Sequence, residues 1–214
     1  MNGTVLRTLG VALSLTFAAS GAFAQDAKTA PKGAKAPQSV EWSLDAVHSN
    51  VGFVARHLGF AKVKGEFKDY SATVSAHPQT GKITGLTARA KVASVTTGMS
   101  KRDDHLRADD FFNAEKFPEM KLELKSIRWA GKKFRAQVEL TIRDVTKVVP
   151  FTGELLGLHK ADFGGGDALH AGYEATATIN RQDFGLSFSK VAEGVAVVSD
   201  KVDIRLNVEI SRKL

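Results

Sequence analysis

The stretch VDIRLNVEI, from Val202 to Ile210, alternates apolar and polar side chains without interruption. In an extended chain, residues two positions apart lie on the same face, so this segment has one apolar and one polar face. The same alternation recurs in KFRAQVELTI, EMKLELKS, LHAGYEATATI and LTARAKV. Such a pattern predicts antiparallel strands that are buried on one side and solvated on the other.

Glycine-containing turn sequences, namely HPQTGK, WAGKK and KADFGGGDA, separate several of these segments. Many of the predicted strands are long, and long amphipathic strands in one sheet curl until closure removes the exposed edges. The sequence therefore predicts an all-β fold with eight or nine antiparallel strands, closed into a barrel, with a sandwich as the competing architecture. The predicted strands cover 41–47, 49–56, 64–76, 82–95, 119–129, 132–143, 146–158, 168–180 and 200–212.

One segment, SKRDDHLRADDFF, breaks the two-residue period. Ser100 is the predicted N-cap, and acids in the first turn favour a short helix lying across the barrel. The segment also concentrates aspartates that could bind a hard metal ion. A helix would spread these side chains around its circumference, so a solvated helix with internal ion pairs is the favoured interpretation.

Six alanines fall on the predicted inward face of the strands, and they are interleaved with large apolar residues. An eight-stranded barrel has an interior that side chains can fill or that can hold one small ligand. Small inward residues indicate space, but they also suit the taper of a filled barrel. The pattern alone leaves both interpretations open. The alanines are at positions 88, 90, 136, 171, 175 and 177.

The first 24 residues have the features of an exported protein's signal peptide. LGVALSLTFAA is too short to span a bilayer, and GAFA offers the small residues that precede cleavage, here before Gln25. A buried helix or a retained anchor is disfavoured. Residues 25–39 carry prolines and lysines but no large apolar side chain, which predicts a flexible leader. Residues 40–214 form the predicted domain, and the expected location is the periplasm.

Composition narrows the classes of function. The chain has no cysteine, which excludes disulfides, thiolate metal sites and a lipidated N-terminal cysteine. Its net charge is +7, but the basic residues are spread along the strands, so no nucleic acid partner is expected. At most a peripheral contact with an anionic membrane is expected. A homodimer is left open.

Common catalytic signatures are missing from the sequence, including the nucleophile elbow, the His-Glu-x-x-His zinc motif and the phosphate loop. In HSNVGFVARHLGF, His48 and His57 are an odd number of positions apart, so on one strand they point to opposite faces. Each is best interpreted as a hydrogen-bonded structural histidine. The protein is expected not to be an enzyme and to need no metal or cofactor.

Several motifs together resemble the YceI-like family. They are WSLDAVHSNVGFVARHLGFAKVKGEF, KRDDHLRADDFFNAEKFPEMKLELKS, VELTIRDVTKVV, INRQDFGLSF and VSDKVDIRLNVEI, which span residues 40–210. Two positions depart from the family pattern, because Asp144 replaces the usual glycine and the proline usual after Lys147 occurs at Pro150 instead. Both departures concern a turn between strands.

The resemblance implies a lipocalin-like, eight-stranded antiparallel barrel with a short helix near one opening and a long apolar cavity for an isoprenoid-chain or similar amphiphilic lipid. It favours an open interior over a filled one. Arg56 and His57 would then contact the polar lipid head near the mouth, and Phe53 would face the cavity. The expected ligand-binding residues are Phe53, Arg56, His57, Leu106, Phe112, Leu122, Phe134, Val138, Phe151, Tyr173 and Phe188.

Three hypotheses follow for the function. The first is a periplasmic binding or carrier protein for an isoprenoid-chain lipid, quinone-like or polyprenyl. The second is a hydrolase or isomerase of amphiphiles that uses His57 or His105 as a base, although no nucleophile or orienting acid supports it. The third is a stress-related barrel that binds a partner protein and has a filled interior.

Overall fold

The structure, a computed structural model, describes residues 38–214. The predicted signal peptide, residues 1–24, and residues 25–37 of the predicted leader lie outside the described residues. Within residues 38–214, no helix has both the length and the apolar character needed to cross a bilayer.

Strands dominate the described chain. They are β1 (Val40–His57), β2 (Ala61–Phe67), β3 (Tyr70–Ala76), β4 (Ile83–Lys91), β5 (Val95–Thr96), β6 (Glu119–Ala130), β7 (Lys133–Ile142), β8 (Val145–Ala161), β9 (Ala168–Asn180), β10 (Val191–Ala192), β11 (Val195–Ala196) and β12 (Lys201–Lys213). One α-helix, α1 (Ser100–Arg107), and two short 3-10 turns at Val92–Ser94 and Arg181–Phe184 complete the described elements.

The barrel is closed by hydrogen bonds between its first and last strands. Strand β1 pairs with β2 along one half and with β3 along the other. From β3 the antiparallel pairing continues through β4, β6, β7, β8, β9 and β12, and β12 pairs with β1. Counting β2 and β3 as one interrupted strand, the barrel has eight strands. The prediction of an eight-stranded antiparallel barrel with a short helix is therefore confirmed, and the sandwich alternative is wrong.

The first two predicted strands, 41–47 and 49–56, are one strand, β1. Its register against β12 shifts between Asp45, opposite Glu209, and Asn50, opposite Asn207, so residues 46–49 bulge out opposite Val208 alone. Conversely, the predicted strand 64–76 is interrupted between β2 and β3, where the chain bends at residues 68–69. The short strand β5 pairs with the end of β2 at this bend. Bulges and bends of this kind strengthen the curvature that closure requires.

Helix α1 begins at Ser100, and Met99 precedes it without a side-chain cap, so the predicted N-cap at Ser100 is wrong. In place of a side-chain cap, Asp103 in the first turn fixes the chain that precedes the helix. Its buried carboxylate accepts hydrogen bonds from the backbone N–H and hydroxyl of Thr97 and from the hydroxyl of Thr96. Burial acts to raise the pKa of Asp103, but these hydrogen bonds and the charge of Arg107 outweigh it and lower the pKa.

The two departures from the family pattern are accommodated locally. Residues 143–144 form a two-residue turn in which Arg143, not Asp144, has a positive φ of 58°. Pro150 lies where β8 pairs only with β7, because the pairing of β8 with β9 begins at Thr152. Proline is tolerated where a strand lacks one neighbour, since its missing N–H leaves no donor unpaired.

Candidate functional site

The barrel encloses a cavity of about 250 Å³ whose lining residues are almost all apolar. The question left open by the inward alanines is thereby answered in favour of space. Ala88, Ala90, Ala136 and Ala175 line the cavity, while Ala171 and Ala177 are buried in the core. An apolar cavity without polar partners stays dry and favours apolar ligands.

Two glycines keep aromatic rings flat against the cavity wall. Gly65 lies opposite Phe53 on the neighbouring strand, and Gly153 lies opposite Phe134. A Cβ atom at either glycine would overlap the ring it faces. The absence of a side chain at these two positions therefore lets Phe53 and Phe134 lie over the backbone instead of projecting across the cavity.

One end of the barrel, hereafter the closed end, is sealed by packed side chains. Trp42 and Tyr173 are buried there, and both polar atoms are satisfied by backbone carbonyls. The Tyr173 hydroxyl donates to Gly81 O at 2.5 Å, and the indole N–H of Trp42 donates to Ala76 O at 3.3 Å. Burial raises the pKa of Tyr173, so its phenol stays neutral. A ligand cannot enter past this seal without displacing it.

The opposite end, hereafter the helix end, is covered by α1 and by the segments 92–118 and 181–200. Leu106, Phe112 and Leu186 from these segments line the cavity. Around them, Phe111 stacks on Phe188 with a ring separation of 5.1 Å, and the His105 ring contacts each of these two edge-on at 5.0 Å. The cover therefore consists of side chains on loops and one short helix rather than of barrel strands.

Arg181 is the buried cation of the cavity wall at the helix end, where 3% of its surface is exposed. Its guanidinium donates to the carbonyls of Leu186, Val198 and Ser199 and to the carboxylate of Asp200 at 3.0 Å. Burial lowers its pKa, and the charge of Asp200 opposes that change. Of the five guanidinium N–H groups, these contacts leave one N–H on Nη1 without a partner among residues 38–214.

Eight of the eleven residues predicted to bind ligand line the cavity, and three do not. Phe188 packs on Phe111 and His105 outside the wall. Successive side chains of β1 point to opposite faces, so Arg56 faces outward because Phe53 faces inward. His57 is exposed at the end of the strand. The prediction of Phe188 as a lining residue is therefore wrong. The eight that line the cavity are Phe53, Leu106, Phe112, Leu122, Phe134, Val138, Phe151 and Tyr173.

A family model described as the YceI-like domain matches residues 42–210. The chain belongs to the YceI-like family. Protein YceI of Escherichia coli O157:H7 is 31% identical over 196 residues, which make up 92% of each chain. The crystal structure of the Campylobacter jejuni YceI protein is 33% identical, with a TM-score of 0.64 over 74% of this chain and 90% of its own. A polyisoprenoid binding domain from Saccharophagus degradans, 14% identical, shares the fold with a TM-score of 0.56 over 79% of this chain and 97% of its own.

Sequence reasoning missed Arg181, Leu186 and Val198 among the lining residues of this YceI-like barrel. Arg181 lies within INRQDFGLSF, a motif used for recognition of the family but not for the site. The local signal was an arginine directly after a strand that ends in Asn180, whose side chain accepts a hydrogen bond from the N–H of Gln182. Leu186 and Val198 lie in irregular segments, where no period indicates which side chains point inward.

The two histidines of the opening motif have separate surroundings. His48 lies in the bulge of β1, where its Nδ1 is 2.9 Å from Asp45 Oδ2. The hydrogen bond with Asp45, followed by the attraction of its charge, raises the pKa of His48. Asp45 also accepts the N–H groups of Val47 and His48, so the pair shapes the bulge. This hydrogen bond agrees with the predicted structural role of His48, which stays a prediction because Asp45, His48 and Glu209 also lie close enough together to share a metal ion.

Two of the aspartates around α1, Asp104 and Asp110, contact basic neighbours. Asp104 pairs with Arg107 at 2.8 Å, and Asp110 contacts the Nε2 atom of His105 at 2.8 Å. Within residues 38–214, the group of side chains close enough to share a metal ion is Asp45, His48 and Glu209, on the outer wall of the barrel. These two contacts agree with the predicted internal ion pairs, whereas the buried Asp103 departs from the predicted solvated helix.

Proposed function

We propose that this protein is a periplasmic binding protein that holds an isoprenoid-chain or similar amphiphilic lipid inside its barrel. The observation that carries the proposal is an apolar cavity that is sealed at one end and has one buried cation at the other. The Saccharophagus degradans domain of the same fold is named for polyisoprenoid binding, which supports the same class of ligand. The N-terminal sequence supports the location.

Arg181 is the residue we propose to contact the polar head, in place of Arg56 and His57. Its free N–H can donate to one acceptor oxygen of a hydroxyl, carbonyl or quinone group. Asp200 already balances its charge, so a neutral head suits the site better than a diphosphate. The apolar chain would then extend from Arg181 towards Trp42 and Tyr173 at the closed end.

The size of the cavity sets the expected chain length. An apolar protein cavity of about 150 Å³ holds a benzene molecule, so 250 Å³ corresponds to on the order of ten carbons. Each buried CH₂ contributes about 0.8 kcal/mol. A chain of that size would gain roughly 8 kcal/mol before the cost of association, which is enough for binding without exact shape recognition.

Binding is favoured over catalysis because the histidines proposed as bases do not reach the cavity. His57 is exposed at the end of β1, and the ring of His105 packs on Phe111 and Phe188 without lining the wall. The phenol of Tyr173 is committed to Gly81. The alternative of a partner-binding barrel predicted an interior filled by side chains, and the cavity argues against it.

The decisive experiment is native mass spectrometry of the protein purified without detergent from the periplasm of expressing cells. An added mass that organic extraction releases, with an isoprenoid fragmentation pattern, is the expected result. A protein of the unliganded mass that stays unchanged after incubation with geraniol would overturn the proposal. The same spectrum tests export, because a mature chain beginning at Gln25 is expected.

A pair of tryptophan substitutions tests the cavity itself. Val138 is buried and lines the wall of β7, whereas its neighbour Gln137 is exposed on the outer face. We expect Val138→Trp to weaken geraniol binding because the larger side chain occupies part of the cavity, while Gln137→Trp binds as the wild type does. Calorimetric titration measures both, and equal uptake by the two variants would contradict the proposed site.

A further inference from the structure

The helix end carries a group of exposed apolar side chains beside the cavity. Phe60 in the β1–β2 turn is 72% exposed, and Val191 and Val195 in the β10–β11 hairpin are 60% and 46% exposed. The turn and the hairpin are joined by a hydrogen bond from Leu58 N to Val197 O at 3.1 Å. We call Phe60, Val191 and Val195 the apolar tip. Large apolar side chains grouped at one end of a molecule indicate a contact surface.

Uncompensated positive charge flanks the apolar tip. Each of these basic side chains is exposed, and none forms an ion pair within residues 38–214. Glu193 is the acidic residue of the hairpin. The basic flank consists of Arg56, Lys62, Lys64, Lys190 and Lys201.

The basic flank includes two basic side chains that face each other across neighbouring strands. Arg56 on β1 lies directly opposite Lys62 on β2. Like charges directly opposite each other across two strands repel and destabilise the sheet. Like charges also lie opposite each other at Arg128 and Arg135, so the pair by itself identifies no partner, but it concentrates positive charge beside the apolar tip, which an anionic partner would neutralise.

The tip is connected to the cavity through Val198. This residue lines the cavity, and its backbone forms a bridge with His57 at the end of β1. The Arg56 backbone N–H donates to the hydroxyl of Ser199 next to it. A partner that contacts the tip therefore lies beside the loops that cover the helix end, where a lipid would enter or leave.

We propose that the apolar tip and the basic flank dock the barrel on an anionic phospholipid membrane, with the helix end facing the bilayer. This inference rests on the proposed function, because docking there would allow lipid exchange through the helix end. Phe60 and the two valines would insert between headgroups, and the basic flank would lie against lipid phosphates. A protein partner at this surface would need acidic side chains around an apolar centre. Vesicles contain no protein, so binding to them distinguishes a membrane from a protein partner.

Tryptophan substitutions report docking directly. The protein purified from expressing cells carries either Phe60→Trp or, as the matched control, Phe163→Trp, since Phe163 is 84% exposed in the loop at the closed end. Vesicles of phosphatidylglycerol and phosphatidylethanolamine should shift the emission of the Phe60→Trp protein to the blue and leave the Phe163→Trp protein unchanged. No shift for either variant, or an equal shift for both, would overturn the docking.

The charge contribution is tested by Arg56→Gln/Lys62→Gln against Lys133→Gln/Lys213→Gln, which removes two exposed lysines at the closed end. We expect roughly thirty-fold weaker vesicle binding for the first pair, at about 1 kcal/mol for each basic residue near the surface, and a smaller loss for the second. Both should bind geraniol normally in solution. Vesicle binding without geraniol binding would contradict the proposed function alone, and geraniol binding without vesicle binding would contradict docking alone.

Discussion

At the scale of the residue, Arg181 has both a structural and a proposed binding role, and the two can be separated. Its guanidinium holds three loop carbonyls and Asp200. Removing a partner from buried polar groups costs about 1–3 kcal/mol each, so Arg181→Met should lower the free energy of unfolding in urea. Loss of stability alone would not change which ligands bind.

The binding role is tested by comparing geraniol with the hydrocarbon of the same skeleton that lacks the hydroxyl. One hydrogen bond contributes a net ~1 kcal/mol, so the wild type should prefer geraniol roughly five-fold. Arg181→Met should abolish that preference while still binding the hydrocarbon. Arg181→Lys keeps the charge but not the planar fork, and should hold the preference only in part. A preference that survives in the methionine variant would exclude Arg181 as the partner of the head.

The sequence predicted the apolar residues of the cavity wall better than it predicted the polar residue of that wall, Arg181. Period-two alternation placed Phe134, Val138 and Tyr173 inside because a strand has only two faces. The same alternation, applied to β1 from Phe53, also indicates that Arg56 faces outward. Arg181 lies beyond the end of β9, where the chain leaves the sheet and its side-chain direction depends on tertiary contacts.

At the scale of the element, α1 depends on Asp103 rather than on the predicted cap at Ser100. The carboxylate accepts three hydrogen bonds from Thr96 and Thr97. Its folded pKa is below the unfolded value, so the stability it contributes is present above a pH of about 4 and is lost as the pH falls through the folded pKa. Replacing Asp103 with Asn removes this dependence.

We therefore expect Asp103→Asn to lower the urea midpoint at pH 7 and to differ less from the wild type at pH 3. Asp104→Asn is the matched control, because Asp104 is 75% exposed and pairs only with Arg107. An exposed ion pair contributes about 0–1 kcal/mol, so this variant should stay close to the wild type at pH 7. A gap between wild type and Asp103→Asn that persists undiminished at pH 3 would contradict the assigned role of the carboxylate.

The elements whose bounds were predicted well are those with regular alternation and two neighbours, such as β7 and β12. The predicted strand bounds were wrong at β1 and at the bend between β2 and β3. A bulge adds residues to one strand without ending its pairing, so a break in the alternation does not reveal whether the strand ends or continues. The bulge is built from local hydrogen bonds of Asp45. The bend depends on distant residues instead, since Lys68 N donates to Ser94 O.

At the scale of the whole molecule, the barrel divides into a closed end sealed by side chains of its strands and a helix end covered by loops and α1. Trp42, Val74 and Ile210 form part of the closed cluster, and β12 pairs with β9 there without a register shift. The helix end is covered by longer connections, one of which contains α1. A chain-shaped ligand would therefore enter beside α1 and extend until it meets the seal.

This asymmetry predicts how affinity depends on chain length. Two further CH₂ groups contribute about 1.6 kcal/mol, or roughly fifteen-fold in affinity, as long as they are buried. For linear alcohols we expect that gain up to on the order of ten carbons, the capacity inferred from benzene in a cavity of about 150 Å³. Beyond that length, affinity should flatten, because added carbons would have to displace the cover formed by Leu106 and Phe112.

Calorimetric titration of alcohols from six to sixteen carbons (about two added carbons per step) measures the position of the plateau. Val138→Trp should move it to shorter chains, and Gln137→Trp should leave it in place. A steady gain through the longest alcohols, with no plateau, would mean that the helix end opens to admit the chain and that the cavity of 250 Å³ is not the limit. A plateau at the same length in both variants would place the ligand outside the barrel.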